Sequence, residues 1–343
     1  MKEKKVKAGK WYKDIVQSQM HKAGYEIRRL NFTDESHQTD VPLPEGAAAY
    51  LRRDNPKLLE LKKRNAATQL PVTVAGLWDK KHLKENVSLS YFRGDNAYVW
   101  AYRSEALDII RMRFLMFALY VQSIDKRGLM KTVTEDGAFG CWYYSYGQFP
   151  KVSRDQLDSI NELYFLDRHF KLFDKPDVKV LDIGAGYGRM AYRMLTAAPN
   201  VSKYWCTDAI PESSFLCDYY LRYRKVDDRA EVVVLDEIET KLKPGTIDLA
   251  INIHSFSECT REAIRWWLQL IVRLQIPYLL LLPNDLENFT SHEPDGKHLP
   301  YLPMMEEMGF KMEVKENIYR ESDYAEFIPN NDMIYLFKVP AAK

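Results

Sequence analysis

Val180-Leu-Asp-Ile-Gly-Ala-Gly-Tyr-Gly-Arg189 is the stretch on which the reading of this chain turns. An apolar strand ends at Asp182, and glycines at 184, 186 and 188 carry the backbone into a helix. Glycine reaches positive φ and has no Cβ, so a flat cofactor can lie against the main chain. The unpaired N–H groups of the helix that follows point at whatever binds there. A dinucleotide fingerprint spaces its glycines G-x-G-x-x-G, the third letting helix pack on strand. Here that third position is Arg189 and the extra glycine is Gly188. G-x-G-x-G behind an acidic residue suits S-adenosylmethionine (SAM), which brings no pyrophosphate to the helix dipole and carries a cationic amine for Asp182 to hold. Gly184, Ala185 and Gly186 are the expected backbone contacts. A nucleotide cofactor and a purely structural turn stand as alternatives at this point.

Outward from the turn, strand and helix alternate. Residues 179–183, 203–207, 231–235, 246–253 and 278–282 read as strands, separated by helices over 189–197, 213–223 and 261–274, the last with Ser257 as its expected N-cap. The run 246–253 is almost continuously apolar, as in a parallel strand covered on both faces. After a short helix over 302–308, two more strands, 311–319 and 333–339, are joined by a loop with no helix to make a right-handed crossover. That pair is expected to be antiparallel. The predicted fold is α/β: a Rossmann-like, class I methyltransferase sheet of seven mostly parallel strands. Residues 1–150, with short helices, prolines and aromatic runs, read as a mostly helical cap, and 151–343 as the SAM-binding domain.

Composition narrows the class. The 343 residues are 46% hydrophobic and 28% charged, with 49 Lys+Arg against 48 Asp+Glu. A net charge of +1 gives no overall attraction to nucleic acid or to an anionic membrane. The four cysteines form no CxxC pair, which favours a reducing cytoplasm over a disulfide or zinc framework. No apolar run stands behind the basic start, and the apolar segments 109–124 and 268–283 are interrupted by Arg111, Arg113, Arg273 and Pro277. The expectation is a cytoplasmic protein whose partner is a small-molecule acceptor, with neither nucleic acid nor membrane; a homo-oligomer is compatible with this surface. Arg93-Gly-Asp95 reads as a plain polar turn.

In a doubly wound sheet, ligands sit at the C-terminal strand ends, so the strand-end residues carry the chemistry. Asp208, with Ala209 beside it, is expected to accept the ribose hydroxyls, and Asp236 the adenine amine; helix capping is the alternative for both. The fourth strand ends Asn252-Ile-His254-Ser255. Enzymes that methylate exocyclic or amide nitrogens typically carry Asn/Asp-Pro-Pro-aromatic there, so nitrogen chemistry is disfavoured. Asn252 is counted with the cofactor contacts. His254 suits an oxygen nucleophile as general base, a contribution on the order of 10²–10⁴-fold, with Glu258 as its orienter. Past the fifth strand, Asp285, Glu287, His292, Glu293, Asp295 and His298 form a polar loop. Asp285 and His292 are read as acceptor contacts; a Mg²⁺ site is the alternative, and a metal-free site is preferred. Tyr144 is expected to stack on a sugar ring or on adenine, with packing in the core as its alternative.

Tyr91-Phe-Arg-Gly-Asp-Asn96, Val152-Ser-Arg-Asp-Gln-Leu-Asp-Ser159, the glycine turn and His254-Ser-Phe-Ser-Glu258 together resemble the bacterial family of sugar O-methyltransferases, from about Leu51 to the C-terminus. The glycine turn is generic to class I methyltransferases, whereas the other runs are more particular. The resemblance implies SAM-dependent methylation of a sugar hydroxyl, in glycosylated natural products or surface polysaccharides. It also implies that Arg154, just before the first strand, pairs with the cofactor carboxylate; a surface salt bridge is the competing reading. A non-sugar acceptor, a nicotinamide-dependent oxidoreductase and a catalytically silent SAM-binding protein are the other functions open at this stage.

Overall fold

The computed structural model describes residues 41–79, 83, 87–94, 107–284, 289–320 and 332–341. Its helices are α1 (Pro56–Thr68), α2 (Leu107–Ile124), α3 (Arg154–Phe170), α4 (Arg189–Ala197), α5 (Pro211–Tyr223), α6 (Arg261–Arg273) and α7 (Leu302–Glu307), with shorter turns between them. A small hairpin, β1 (Tyr144–Tyr146) with β2 (Phe149–Val152), leads into α3. The seven-stranded sheet comprises β3 (Val178–Ile183), β4 (Val201–Thr207), β5 (Ala230–Val232), β6 (Leu249–Ile253), β7 (Tyr278–Leu282), β8 (Lys311–Asn317) and β9 (Met333–Lys338).

Spatial order is β5-β4-β3-β6-β7-β9-β8, so the chain starts in the middle, steps outward to β5, and reverses to β6. β3 to β7 pair in parallel; β9 slots antiparallel between β7 and β8, as the helix-free connection requires. The reversal between β3 and β6 opens a crevice at their C-terminal ends, and the glycine turn lies at its mouth.

Period-2 alternation divides the core into two layers. Val178 and Val180 of β3, Leu280 and Leu282 of β7, and Ile334 and Leu336 of β9 face the layer holding α2, α3 and α4. Leu181, Ile183, Leu279, Leu281, Tyr335 and Phe337 face the layer of α6 and α7. Each fully buried leucine contributes roughly 1.5–3 kcal/mol, which accounts for the five-residue β7 being all apolar after Tyr278. Among the described residues no helix is long and apolar enough to cross a membrane.

Local rules set the helix ends. Ser153 caps α3 by accepting from the Gln156 N–H at 3.1 Å. α6 starts one residue after Thr260, whose hydroxyl accepts from Ala263 N at 3.2 Å. The cap is therefore Thr260, not Ser257, which lies in a 3₁₀ turn, Ser255–Glu258. Glu293, from the loop after β7, accepts from Arg261 N at 2.8 Å and meets a second orphan donor of the same helix.

Candidate active site

At the glycine turn the three glycines all have positive φ, for different reasons. A Cβ on Gly184 would sit 2.0 Å from Ser255 Oγ, so this glycine makes room for a side chain from the β6 end. Gly186 has nothing within 4 Å of such a Cβ; its face is the open one. Gly188 caps the start of α4 and packs on Cys217 of α5, a helix–helix contact rather than the helix–strand contact of the dinucleotide motif's third glycine. Thr207 O accepts both Gly184 N (2.8 Å) and Ala185 N (3.2 Å), tying the turn to β4.

Two carboxyls flank this turn. Asp182 is 3% exposed, with Tyr204 Oη donating to it at 2.9 Å, and burial pushes its pKa up to about 7. Asp208 accepts from Gly186 N at 3.0 Å and Ile210 N at 2.8 Å. It closes an Asx turn ahead of α5 and holds the glycine turn at once, and loss of solvent raises it to about 6. Ala209 offers its carbonyl to Asn65 Nδ2 at 2.8 Å. Asp236 does not end β5, which stops at Val232; it lies on a 3₁₀ turn, Leu235–Glu237, in a fork from Arg64 of α1 at 2.7 and 2.8 Å. A narrow cleft runs here, with Leu61, Arg64, Asn65 and Thr68 on one wall and Asp208 and Asp236 on the other.

At the β6 end, the structure corrects the reading of Asn252. Its amide donates to Ile183 O (2.8 Å) and Ser255 Oγ (2.6 Å) and accepts from Phe256 N (3.1 Å), at 0% exposure. With both N–H groups engaged and no surface, Asn252 locks the turn and does not contact a ligand. His254 follows with φ 67°, its N–H donating to Leu282 O at 2.6 Å. Burial, with Arg189 and Arg154 nearby, lowers its imidazole to about 3, so the neutral form holds throughout the physiological range and the imidazolium is costly.

Glu258 is not the orienter of His254. Its oxygens accept from Trp78 Nε1 at 2.7 Å and Asn284 Nδ2 at 3.2 Å, and burial raises it to about 7. Trp78 comes from the N-terminal chain, whose Gly76 passes so close that a Cβ there would lie 2.3 Å from Glu258 O. Leu77 N donates to the same carbonyl at 2.9 Å.

The remaining candidates separate. Arg154 is buried, pairs with Asp158 at 2.8 Å and lies 3.9 Å over the Phe117 ring, so its salt bridge is not a surface one. Tyr319 Oη donates to the same Asp158 at 2.8 Å. Tyr144 meets Phe114 edge-on at 4.8 Å and packs against the core. His292 donates its N–H to Cys259 O at 2.8 Å and sets its ring against His298. Asp285 and Glu287 lie outside the described residues.

Sequence reading missed the buried ion cluster beneath the turn. Arg93 does lie in a turn, closed by Gly94 N donating to Tyr91 O at 2.8 Å, but it is 0% exposed and pairs with Glu135 (2.7 Å) and Asp155 (3.0 Å), which Arg193 also joins. Tyr187 of the glycine turn donates to Asp155, and Arg189 reaches Glu162 (2.8 Å) and Ser159 (2.7 Å). Charges buried by distant partners leave no periodic mark; the run of buried polar residues opening α3 is visible only after folding.

The strand order decides the architecture: five parallel strands reversing beside β3, closed by an antiparallel strand inserted before the last. This is the class I methyltransferase fold. No family model and no curated protein matches the chain. Among solved structures, the chain is similar to the 4+2 cyclase SpnF at 13% identity, covering 67% of this chain and 96% of that one, with a TM-score of 0.40. It is also similar to a SAM-dependent methyltransferase from Aquifex aeolicus (16%, 53% and 97%, TM-score 0.35). YcgJ from Bacillus subtilis aligns at 15%, 53% and 100%, TM-score 0.37.

Proposed function

We propose that the chain is a SAM-dependent methyltransferase acting on a hydroxyl of a sugar or glycosylated small molecule. The observation that carries the cofactor is the pair of desolvated carboxyls at the glycine turn, Asp182 near 7 and Asp208 near 6. Two buried carboxyls at the turn favour a cationic ligand, which would restore both carboxylates, and disfavour a pyrophosphate. Asp182, the open face of Gly186 and Asp208 are the residues that would hold SAM, which when bound supplies a methyl on a sulfonium.

Oxygen as the nucleophile is supported by the β6 end, which lacks the Pro-Pro-aromatic sequence of nitrogen methylators. The chain's own chemical part is to take the hydroxyl proton. A base works best with a pKa near the operating pH, which favours Glu258 for that role. His254, held neutral, is left to hydrogen-bond the acceptor. The sugar as acceptor rests on the sequence resemblance.

Calorimetric titration tests the cofactor: SAM and S-adenosylhomocysteine should bind and NADH should not, and the reverse result overturns the proposal. For the base, turnover should rise with pH through about 7 as Glu258 deprotonates. Glu258→Gln should lower turnover about 10²-fold or more with cofactor affinity held. A profile flat from about pH 5 to 9, with loss of turnover in His254→Ala, would return the role to His254, whose neutral form persists across that range.

A further inference from the structure

α1 lies across the cleft beside Asp208, and its ties to the sheet domain run along its length. Lys57 pairs with Asp218 at 2.5 Å, Lys62 with Glu212 at 2.7 Å, and Asn65 donates to Ala209 O. Arg64 does more than dock. Its guanidinium grips both Asp236 oxygens and also reaches Glu237 Oε1 at 2.8 Å.

Adenine is a flat base with one exocyclic amine. A pocket for it needs surfaces against the ring faces and an acceptor at that amine. Leu61 faces the cleft from α1 as an apolar surface for a ring face, and Arg64 beside it holds the acceptor. A carboxylate has about four lone-pair sites, of which the Arg64 fork takes two, so Asp236 retains acceptor capacity in a fixed orientation. Without Arg64, Glu237 would keep Lys241 at 3.0 Å, whereas Asp236 would lose the fork that orients it.

We propose that α1 is the outer wall of the adenosine subsite and that Arg64 is a positioning residue that holds Asp236 toward the adenine amine. This rests on the SAM reading above. The N-terminal chain is thereby part of the cofactor site and not only a cover for the acceptor.

The test is calorimetry on the full chain with S-adenosylhomocysteine, and displacement of it by adenosine and by purine riboside, which lacks the amine. Wild type should bind S-adenosylhomocysteine and prefer adenosine over purine riboside about tenfold. Arg64→Ala should weaken S-adenosylhomocysteine about tenfold and collapse that preference, while Arg64→Lys, lacking the fork, should fall between. Lys57→Ala removes an ion pair of the same helix outside the cleft and should change affinity less than twofold. An unchanged preference in Arg64→Ala overturns the inference, as does a Lys57→Ala loss equal to that of Arg64→Ala, which would make α1 a docking helix only. Failure of the wild type to bind S-adenosylhomocysteine is a different result: it removes the SAM reading and the inference with it.

Discussion

Asp182 is held protonated near neutrality by burial, with one hydroxyl donor as partner. Its folded-state pKa, about 7, stands above that of an unfolded carboxyl, so the folded chain binds this proton more tightly. The resulting stabilisation is present at low pH and is lost as pH rises through about 7. A cationic ligand reverses the preference by favouring the carboxylate. SAM binding at pH 6 should therefore release up to about one proton from Asp182, with a further fraction from Asp208, and affinity should increase between about pH 5 and 7. Calorimetry in buffers of different ionisation enthalpy measures this directly. Heats independent of buffer would detach Asp182 from the cofactor's charge.

At the scale of an element, α3 organises the glycine turn from below. Residues 155, 159 and 162 fall on one helical face at i, i+4 and i+7, and that face meets Tyr187, Arg189 and Arg193 of the turn and α4. Asp155 also receives Arg93, so one carboxylate joins the N-terminal chain, the pre-sheet helix and the glycine turn. Neighbouring arginines hold Asp155 and Glu135 below the usual carboxylate range despite their burial. Their stabilisation is present above the unfolded carboxyl pKa, near 4, and drains away as pH falls below it. Asp155→Ala would leave Arg93 and Arg193 sharing Glu135, with Asp136 at 3.4 Å from Arg93 as the further counter-charge, a loss of about 3–5 kcal/mol. Urea denaturation reads this, and a loss below about 1 kcal/mol would mean that water or Glu135 compensates.

Across the whole molecule, the chain from 56 to 79 crosses the rim of the sheet. α1 lies at the Asp208–Asp236 end, and Gly76 to Trp78 lie at Glu258. Gly76 matters for space: a methyl there would meet two backbone carbonyls, Glu258 O at 2.3 Å and His292 O at 2.8 Å. Gly76→Ala should cost about 1–3 kcal/mol through displaced backbone. Turnover should fall as Trp78 loses its hold on Glu258, with cofactor affinity nearly unchanged because the adenosine end is distant in the strap. Denaturation and steady-state kinetics check both, and wild-type values in each would show that the strap does not position Glu258.

The alternation of helix and strand, the two-faced burial of β6, and the antiparallel closing pair are legible in the residues because they arise from local rules. These rules are period-2 apolarity, helix spacing, and a connection without a crossover helix. The glycine turn and its flanking carboxyls, Asp182 and Asp208, belong to the same class, since strand ends can be read along the chain. The tertiary structure decided the rest. It placed Ser255 on Gly184, closed Asn252 into the turn, gave Glu258 to Trp78 and Asn284, and buried Arg93 against Asp155. Many of these contacts join residues far apart in sequence, and desolvation, which sets the pKa values of Asp182, His254 and Glu258, exists only once the layers have closed.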